Sequence, residues 1–471
     1  MVKVSIIVPI YNVHDYIGAC LESLLNQTLQ HIEIICIDDA STDGSLDIVK
    51  EKTDLDNRIK IILHDKNRGT AQARKHGVEL AQGEYILFVD GDDTLNERAC
   101  EKLYNRIKKE NVDILHYGTE VIPATALSKT MIDWVENFLN PYPQKLYGKS
   151  ILEKCYVEEK FDFNITDKMW NSKLCKKAFS QLNNQRMISA EDQYAFFILA
   201  FYAKSYLGVQ EEKFYNYNLG IGITGGDLLD LERFEKRCTG VLATQAVKIF
   251  LEKEKKFKEY QKVYQCFYNK ILWDCVDCWI NKLSLKDSDE GYSTLLKYWN
   301  SSEVVAAIAR TNFEDESFIK EKIHSFYGND KKIVGIYCKE ISSQIERKII
   351  EKEKSLLEEE GNEVLLFIDQ GSTFTIDSAI LLPESKLANW DKYKNRAEKI
   401  QELMEKYNIN ILIYMSPESH IAWLDELLLK SCGVATMTVD FKSNLFAVEE
   451  VNMLKKKKVW KRKLRMLIGE K

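Results

Sequence analysis

The first 90 residues alternate short apolar runs with amphipathic segments. The apolar runs have the length of buried strands and lie at residues 4–9, 32–37, 59–63 and 85–89. The segments between them place apolar side chains at helical spacing, at residues 15–26, 45–50 and 70–81. Strands that alternate with helices in this way predict a mostly parallel sheet with helices on both faces, which is an α/β fold.

Polar residues follow each of these predicted strands. They are Pro9 with Tyr11, Asp38 with Asp39, Asn67 with Arg68, and Asp90 with Gly91, Asp92 and Asp93. Because ligands of open α/β sheets bind at the carboxyl ends of the strands, these four groups predict one binding site. Taken alone, the acidic group at residues 90–93 suits a turn as well as a divalent metal site. The three other strand ends favour the site.

Further motifs occur in order along the first 225 residues. They are Ala73-Arg74, Gly77, Ala81, Gly83-Glu84-Tyr85, Met169-Trp170-Asn171-Ser172-Lys173-Leu174, Ala190-Glu191-Asp192, Phe214-Tyr215-Asn216-Tyr217 and Ile223-Thr224. Together with the strand ends, they resemble the bacterial family 2 glycosyltransferases, which are inverting enzymes of the GT-A fold. The resemblance implies a GT-A, Rossmann-like domain over residues 1–225.

The resemblance also implies a site for a UDP-sugar donor and a divalent metal ion, Mn²⁺ or Mg²⁺. Asp92 would bind the metal, with Asp90 near the metal or the ribose. Asp39 would accept a hydrogen bond from the uracil imide N–H, and helix capping is the alternative role for this acid. The other donor-binding residues, which line the base or hold the sugar nucleotide, would be Pro9, Tyr11, Arg74 and Gly91.

A catalytic base is implied by the motif at residues 190–192. Asp192 would take the proton of the acceptor hydroxyl, and Glu191 would lie beside it. The alternative is that both acids only begin a helix, where they suit the positive end of its dipole. Many relatives carry glycine where this chain has Ala190. Trp170 and Asn171 would form a wall of the site, with a core position as the alternative for Trp170.

The rest of the chain predicts two more regions. Residues 226–330 are helical by periodicity and rich in aromatic residues, which favours a packed core. Residues 331–450 again alternate strands and helices and predict a smaller Rossmann-like α/β domain. It loosely resembles one half of a GT-B glycosyltransferase but carries no donor-site motif, so we expect a recognition or assembly role. Its predicted strands are 332–337, 363–369, 409–414 and 434–439, and its predicted helices are 345–360, 396–407 and 421–430.

Charge is concentrated at the C-terminus. The whole chain carries a net charge of −6, whereas residues 451–471 hold nine Lys or Arg and one Glu, interleaved with apolar residues. This composition is typical of an amphipathic helix on an anionic membrane surface, with a solvated tail as the alternative. The acidic remainder argues against nucleic acid as a partner. No signal peptide or membrane-spanning run is predicted, which indicates a cytoplasmic protein, with the tail at the inner face of the cell membrane.

Three other patterns carry less weight. Cys275 and Cys278 have the spacing of a zinc or redox half-site, but their helical, Trp-flanked context favours packed thiols. The string from Gly220 to Gly225 matches a dinucleotide fingerprint without the buried strand that such a site requires. The remaining histidines considered receive no metal role, and they are His14, His31, His64, His76 and His116.

These observations lead to one hypothesis and one rival. The hypothesis is an inverting, metal-dependent transferase that moves a hexose or N-acetylhexosamine from UDP to a glycan, lipid-linked or glycoprotein acceptor in surface polysaccharide or glycoprotein synthesis. The rival is a catalytically idle scaffold that binds sugar nucleotides for a partner transferase. A candidate base at Asp192 favours the enzyme, since a scaffold has no need of one. No motif indicates an oligomeric state.

Overall fold

The computed structural model describes residues 1–123, 129–221, 229–312, 319, 322–323, 333–359, 362–374, 376–383, 390–409, 411–415 and 422–438. The chain divides into two compact units, residues 1–274 and 275–471. Their boundary falls within one long helix, Phe257–Asn281.

A nine-stranded mixed sheet forms the centre of the first unit. Its strands are β1 (Val4–Ile10), β2 (Ile32–Asp38), β3 (Ile59–Leu63), β4 (Tyr85–Phe88), β5 (Thr94–Leu95), β6 (Ile114–Pro123), β7 (Lys145–Tyr147), β8 (Lys168–Asn171) and β9 (Ser205–Leu219). Their order is β3-β2-β1-β4-β8-β6-β9-β5, with β7 paired to β9. The first four strands are parallel, and β8 runs antiparallel to both β4 and β6.

Helices lie between these strands in the sequence and also follow β9. They are α1 (His14–Leu25), α2 (Ser45–Leu55), α3 (Thr70–Leu80), α4 (Ala99–Glu110), α5 (Lys129–Phe138), α6 (Ser150–Leu152, which continues as a π-helical turn to Val157), α7 (Ser172–Phe179), α8 (Glu191–Tyr202), α9 (Leu231–Cys238), α10 (Val241–Lys253) and α11 (Phe257–Asn281). Every residue of β2 is buried. Because helices cover both faces of a parallel sheet, side chains on either side of such a strand are buried, which explains the apolar run from Ile34 to Ile37.

The predicted elements of the first 90 residues are confirmed. All four strands form at the predicted positions to within one residue at each end, and all three helices are present. Helix α2, predicted to open with residues 45–50, continues to Leu55. The antiparallel strand β8 and the long pairing between β6 and β9 were not predicted, because they join segments about 50 to 100 residues apart that carry no local turn signal.

The second unit contains a five-stranded parallel sheet in the order β12-β11-β10-β13-β14. Its strands are β10 (Ile333–Cys338), β11 (Glu363–Asp369), β12 (Ala379–Leu382), β13 (Ile411–Tyr414) and β14 (Ala435–Thr438). The helices among its described residues are α12 (Ser288–Tyr298), α13 (Ser301–Asn312), α14 (Gln344–Glu359), α15 (Trp390–Tyr407) and α16 (Ala422–Ser431), with a 3₁₀ turn at Leu285–Asp287.

The predicted smaller α/β sheet is therefore present, with two differences. Strand β12 was not predicted, because it is a short, partly exposed edge strand directly before Pro383. Helix α15 begins at Trp390, six residues before its predicted start at residue 396. A buried arginine, Arg396, lies in that helix and contacts Asp369 at 2.8 Å.

Some predictions fall outside the described residues. These are the basic tail at residues 451–471 and most of the glycine-rich string, including Ile223 and Thr224. Cys275 and Cys278 are buried on α11, as expected for packed thiols. Within the described part of the chain, no helix has both the length and the apolarity needed to cross a lipid bilayer.

Candidate functional site

The carboxyl ends of β1, β2 and β4 meet at one edge of the first sheet. Pro9 lies opposite Ile37 in the register of β1 and β2. The Asp39 N–H donates to the carbonyl of Ile10 at 2.8 Å. A Cβ on Gly91 would lie 3.4 Å from the Pro9 carbonyl oxygen, so the acidic loop after β4 lies against the end of β1. The predicted residues Pro9, Asp39 and Gly91 are thus brought to the same edge.

Arg74, on α3, connects two of the predicted site residues. Its Nη2 donates to Asp90 Oδ1 at 2.6 Å, and its Nη1 donates to Asp192 Oδ1. The Arg74 side chain is buried, whereas the two carboxylates are about one-third exposed. One guanidinium therefore holds the acidic loop after β4 next to the first turn of α8. Asp90 and Asp192 are 102 positions apart in the sequence, and Arg74, which precedes both, joins them.

Strand β9 holds the acidic loop from the other side. The Tyr215 hydroxyl accepts from the Asp90 N–H at 3.2 Å and donates to Asp93 Oδ2 at 2.7 Å. The Asn218 N–H donates to Asp93 Oδ1 at 2.8 Å, and its side-chain amide donates to the Asp92 carbonyl at 2.6 Å. Asp93 is buried by these contacts. Its carboxyl group therefore anchors the loop and leaves Asp90 and Asp92 to face the site.

Three carboxyl groups in so small a space disfavour one another's ionised forms. Burial, followed by the neighbouring Asp90, raises the pKa of Asp92 to about 6. Burial, followed by Asp92 and Asp90, raises the pKa of Asp93 to about 8. A cation bound by Asp90 and Asp92 would remove this repulsion, and carboxylate oxygens are the ligands preferred by Mg²⁺ and Mn²⁺. The donor set thus fits a divalent metal ion.

Asp39 is almost fully buried and is surrounded by hydrogen-bond donors. Its Oδ1 accepts from the Arg68 N–H at 2.8 Å and lies 2.6 Å from His64 Nδ1, while its Oδ2 accepts from the Gly69 N–H at 2.7 Å. A carboxylate offers about four acceptor positions, so about one remains for a ligand N–H. Asp39 does not cap α2, whose N-cap is Gly44. It instead fixes the loop that leads into α3.

Glu191 and Asp192 occupy the first turn of α8. Burial, followed by the charge of Asp192, raises the pKa of Glu191 to about 8. Burial also raises the pKa of Asp192, and the adjacent Arg74 opposes this shift. The N-cap of this helix is Ala190, whose φ of 59° lies in the left-handed region. Glycine adopts that conformation without steric cost, which explains why glycine suits this position.

Several known proteins are similar to parts of this chain. The family model described as Glycosyl transferase family 2 matches residues 5–162. The EpsH protein of Bacillus subtilis, whose name describes a glycosyltransferase, is 30% identical over 273 residues, which are 56% of this chain and 73% of that protein. The chain belongs to the family 2 glycosyltransferases. Its first unit, with the acidic loop at the end of β4, has the GT-A fold predicted from the sequence.

Two further proteins are similar to parts of this chain. A poly(ribitol-phosphate) β-glucosyltransferase of Bacillus spizizenii is 37% identical over 164 residues, which are 32% of this chain and 26% of that protein. A crystal structure of S. aureus TarS residues 1–349 in complex with UDP aligns with a TM-score of 0.46 and 19% identity, over 68% of this chain and 87% of that one.

Two predicted wall residues of the glycosyltransferase have structural roles. Trp170 is fully buried, and its Nε1 donates to the Ile165 carbonyl at 2.9 Å. Asn171 is the N-cap of α7, where its Oδ1 accepts from the N–H groups of Lys173 and Leu174. These contacts support the core alternative for Trp170. The ring of Tyr11, by contrast, is exposed beside the end of β1.

Several residues that fix the positions of the site residues were not predicted from the sequence. Tyr215 and Asn218 fix the acidic loop, as described above. His64 Nε2 and His76 Nδ1 lie 2.9 Å apart, directly behind Asp39. The 12-residue spacing of these histidines crosses from the end of β3 to α3, so no local periodicity relates them. Tyr215 was visible as part of a family motif, but its contact with Asp93 follows only from the pairing of β5 with β9.

Proposed function

We propose that this protein is an inverting, metal-dependent glycosyltransferase that moves a hexose or N-acetylhexosamine from a UDP-sugar to a glycan, lipid-linked or glycoprotein acceptor. One observation carries the proposal. Arg74 contacts both Asp90, a candidate metal ligand, and Asp192, the candidate base. Leaving-group stabilisation and proton removal would therefore take place within the reach of a single side chain.

The donor nucleotide would bind at the ends of β1 and β2. The acceptor position that remains on Asp39 suits the imide N–H of uracil, and a buried carboxylate discriminates against bases that lack this donor. The exposed ring of Tyr11 and the adjacent Pro9 would line the base. Gly91 would line the donor site, and its lack of a side chain lets the acidic loop lie close to Val13 and Pro9.

Asp90 and Asp92 would hold the metal ion, Mn²⁺ or Mg²⁺. When bound, the ion neutralises the negative charge that develops on the departing diphosphate. The protein keeps Asp90 and Asp92 directed into the site through Asp93, Tyr215 and Asn218, which bind the other side of the loop.

Asp192 would remove the proton from the acceptor hydroxyl. The acceptor oxygen then forms its bond to the anomeric carbon while the bond from that carbon to the diphosphate oxygen breaks, so a single displacement inverts the anomeric configuration. Arg74 favours the ionised form of Asp192 and orients its carboxylate. Asp192 Oδ1 already accepts from Arg74, which leaves Oδ2 to take the proton.

The acceptor class is proposed from the family and its members. The poly(ribitol-phosphate) β-glucosyltransferase of Bacillus spizizenii acts, by its name, on a phosphate-containing polymer. A glycan or lipid-linked acceptor for surface polysaccharide, or a glycoprotein, fits a chain with a basic C-terminal segment at residues 451–471. We place the reaction in the cytoplasm, at the inner face of the membrane.

A donor assay tests this function. We expect purified protein with Mn²⁺ to release UDP from at least one of a panel of UDP-sugars. Asp192→Asn should lower turnover by about 10²- to 10⁴-fold while UDP binding is retained, because only the base is lost. Asp92→Ala should lose both turnover and metal-dependent UDP binding. Asp47→Asn, an acid in the first turn of α2, serves as the control.

Two outcomes would contradict the proposal. If wild-type protein binds UDP tightly but turns over no donor, the protein is an idle scaffold for a partner transferase. Near-normal turnover by Asp192→Asn would instead show that the base is another residue.

A further inference from the structure

A second group of metal-binding side chains lies in the first unit, away from the acidic loop. His116 is on β6, Asp162 and Asp167 lie in the segment that leads to β8, and Lys168 begins that strand. All four side chains are at most 2% exposed. One nitrogen of His116 and one oxygen from each aspartate lie within 4.8 Å of one another.

Lys168 determines which aspartate oxygens face His116. Its Nζ donates to Asp162 Oδ1 at 2.9 Å and to Asp167 Oδ1 at 2.6 Å. The Asn164 carbonyl accepts from the same Nζ at 2.7 Å. The ammonium group thus occupies one oxygen of each carboxylate, and the Oδ2 atoms of both remain directed at the imidazole.

The three converging atoms have no hydrogen-bond partner. They are His116 Nε2, Asp162 Oδ2 and Asp167 Oδ2, and all are buried. His116 Nε2 lies 3.2 Å from Asp162 Oδ2 and 3.3 Å from Asp167 Oδ2, but its ring is not aligned to donate to either. Buried polar atoms are nearly always paired, so three that point at one another indicate a ligand between them.

Charge and distance both fit a small cation. Two carboxylates against one ammonium leave one negative charge uncompensated in a buried space, which favours a bound cation, and a divalent ion would bring the net charge of the group to +1. Ligands of a tetrahedral zinc ion with bonds near 2.0 Å are about 3.3 Å apart. The two distances from His116 match that spacing. The Tyr206 hydroxyl lies 2.9 Å from His116 Nδ1 and fixes the ring, as outer-shell partners of metal-bound histidines do.

We propose that His116, Asp162 and Asp167 bind a divalent transition-metal ion, for which zinc is the best fit, separate from the ion at the donor site. The ion ties the segment before β8 to β6. That segment continues directly into Trp170 and Asn171, so the ion stabilises the side of the sheet on which α7 begins.

Metal analysis of the full chain tests this site. Protein produced with added zinc and passed over a chelating resin should retain about one zinc per chain, because three protein ligands bind the ion in a buried site. Asp92→Asn should retain the same amount, since it alters only the donor site. Asp162→Asn, which keeps the side-chain shape, should lower the zinc content at least about tenfold. His31→Gln, an exposed histidine, is the control.

X-ray absorption of the wild-type protein gives a test that needs no variant. We expect nitrogen and oxygen neighbours only, with the outer-shell signal of one imidazole, which distinguishes this site from the carboxylates at Asp90 and Asp92. Sulfur neighbours would assign the zinc to cysteines and overturn the proposal. A zinc-free wild type whose melting temperature is unchanged by Zn²⁺, Mn²⁺ or Co²⁺ would also overturn it.

Discussion

Arg74 is the residue whose role changed most between sequence and structure. The family resemblance implied a contact with the donor, whereas its guanidinium is bound to Asp90 and Asp192. The paired carboxylates raise the pKa of Arg74, so its charge is permanent at the bottom of the site. We therefore propose that Arg74 is a positioning residue, which acts through the two acids that it contacts.

Replacing Arg74 by lysine tests this role. Lysine keeps the charge but cannot hold two carboxylates in one planar fork, so we expect kcat/KM to fall by about 10- to 100-fold. The weaker pairing should also raise the pKa of Asp192 and shift the acidic limb of the pH–rate profile upward. Arg106→Lys, in an exposed ion pair with Glu110, is the matched control. An unchanged pH profile would limit Arg74 to a structural role.

The raised pKa of Asp93 predicts how the stability of the metal-free protein depends on pH. Its folded pKa of about 8 lies above the unfolded value of about 3.9, so the folded state binds more protons between these values. Stability must then fall as pH rises through this window, by up to roughly 1.4 kcal/mol per pH unit for one group. With EDTA present, we expect a lower melting temperature at pH 8 than at pH 5.5.

Two additions to that measurement isolate the acidic loop. Asp93→Asn should show a smaller loss of stability between the two pH values, because the titrating group is gone. Mn²⁺ with UDP should restore most of the loss in the wild type. A pH dependence that is identical in wild type and Asp93→Asn would place its origin elsewhere.

Among the elements, α3 sets the position of Arg74. Gly77, one turn further along the helix, allows α3 to pack closely on the sheet. A Cβ at Gly77 would lie 2.5 Å from Ile7 Cγ2 and 3.0 Å from Ile37 Cδ1, so a side chain there would force the helix away from β1 and β2. The distance between helix and sheet therefore decides whether Arg74 reaches both acids.

Gly77→Ala should accordingly destabilise the protein by about 1–3 kcal/mol through overpacking, and lower activity as well. Gly18→Ala is the matched control on α1, where an added Cβ meets no atom within 4 Å. That control should be neutral or stabilising by roughly 0.5–1 kcal/mol, because alanine favours the helix. Urea unfolding of both variants measures the difference. Equal stability of the two variants would contradict the packing argument.

At the scale of the whole molecule, the proposed catalytic residues and the second sheet belong to different units. The proposed donor and base residues belong to residues 1–274, and the second unit carries its own parallel sheet. In the second unit, Arg396 on α15 contacts Asp369, Asp425 and the Tyr337 hydroxyl, which lie on two strands and another helix. This buried network joins the carboxyl edge of the sheet to its helices.

The basic C-terminal segment is expected to bring the enzyme to its acceptor. Deletion of residues 451–471 should release the protein from vesicles that contain anionic lipid, because the segment carries nine Lys or Arg against one Glu. Co-sedimentation at two salt concentrations measures this effect. Neutral vesicles are the control, and unchanged sedimentation after the deletion would exclude the membrane role. Donor hydrolysis should be unaffected.

The sequence alone was enough to locate the first four strands, their ends and the acidic loop. Local apolar runs determine which segments are buried, and Asp39, Asp90 and Asp192 follow or precede such segments directly. Parallel β-α units are also close in sequence, so a mostly parallel sheet could be inferred from the first 90 residues. The family motifs then added the roles expected for those acids.

Only the tertiary structure decided which side chains meet. Arg74 between two acids, Tyr215 beneath Asp93, and His116 facing Asp162 and Asp167 all depend on the register of distant strands and the packing distance of a helix. Local periodicity does not encode these contacts, because it reports burial but not the partner. The register of β8 between β4 and β6 brings the second acidic group to His116. The sequence therefore determined the edge where a sugar nucleotide would bind, and the packing of the sheet determined how its charges are balanced.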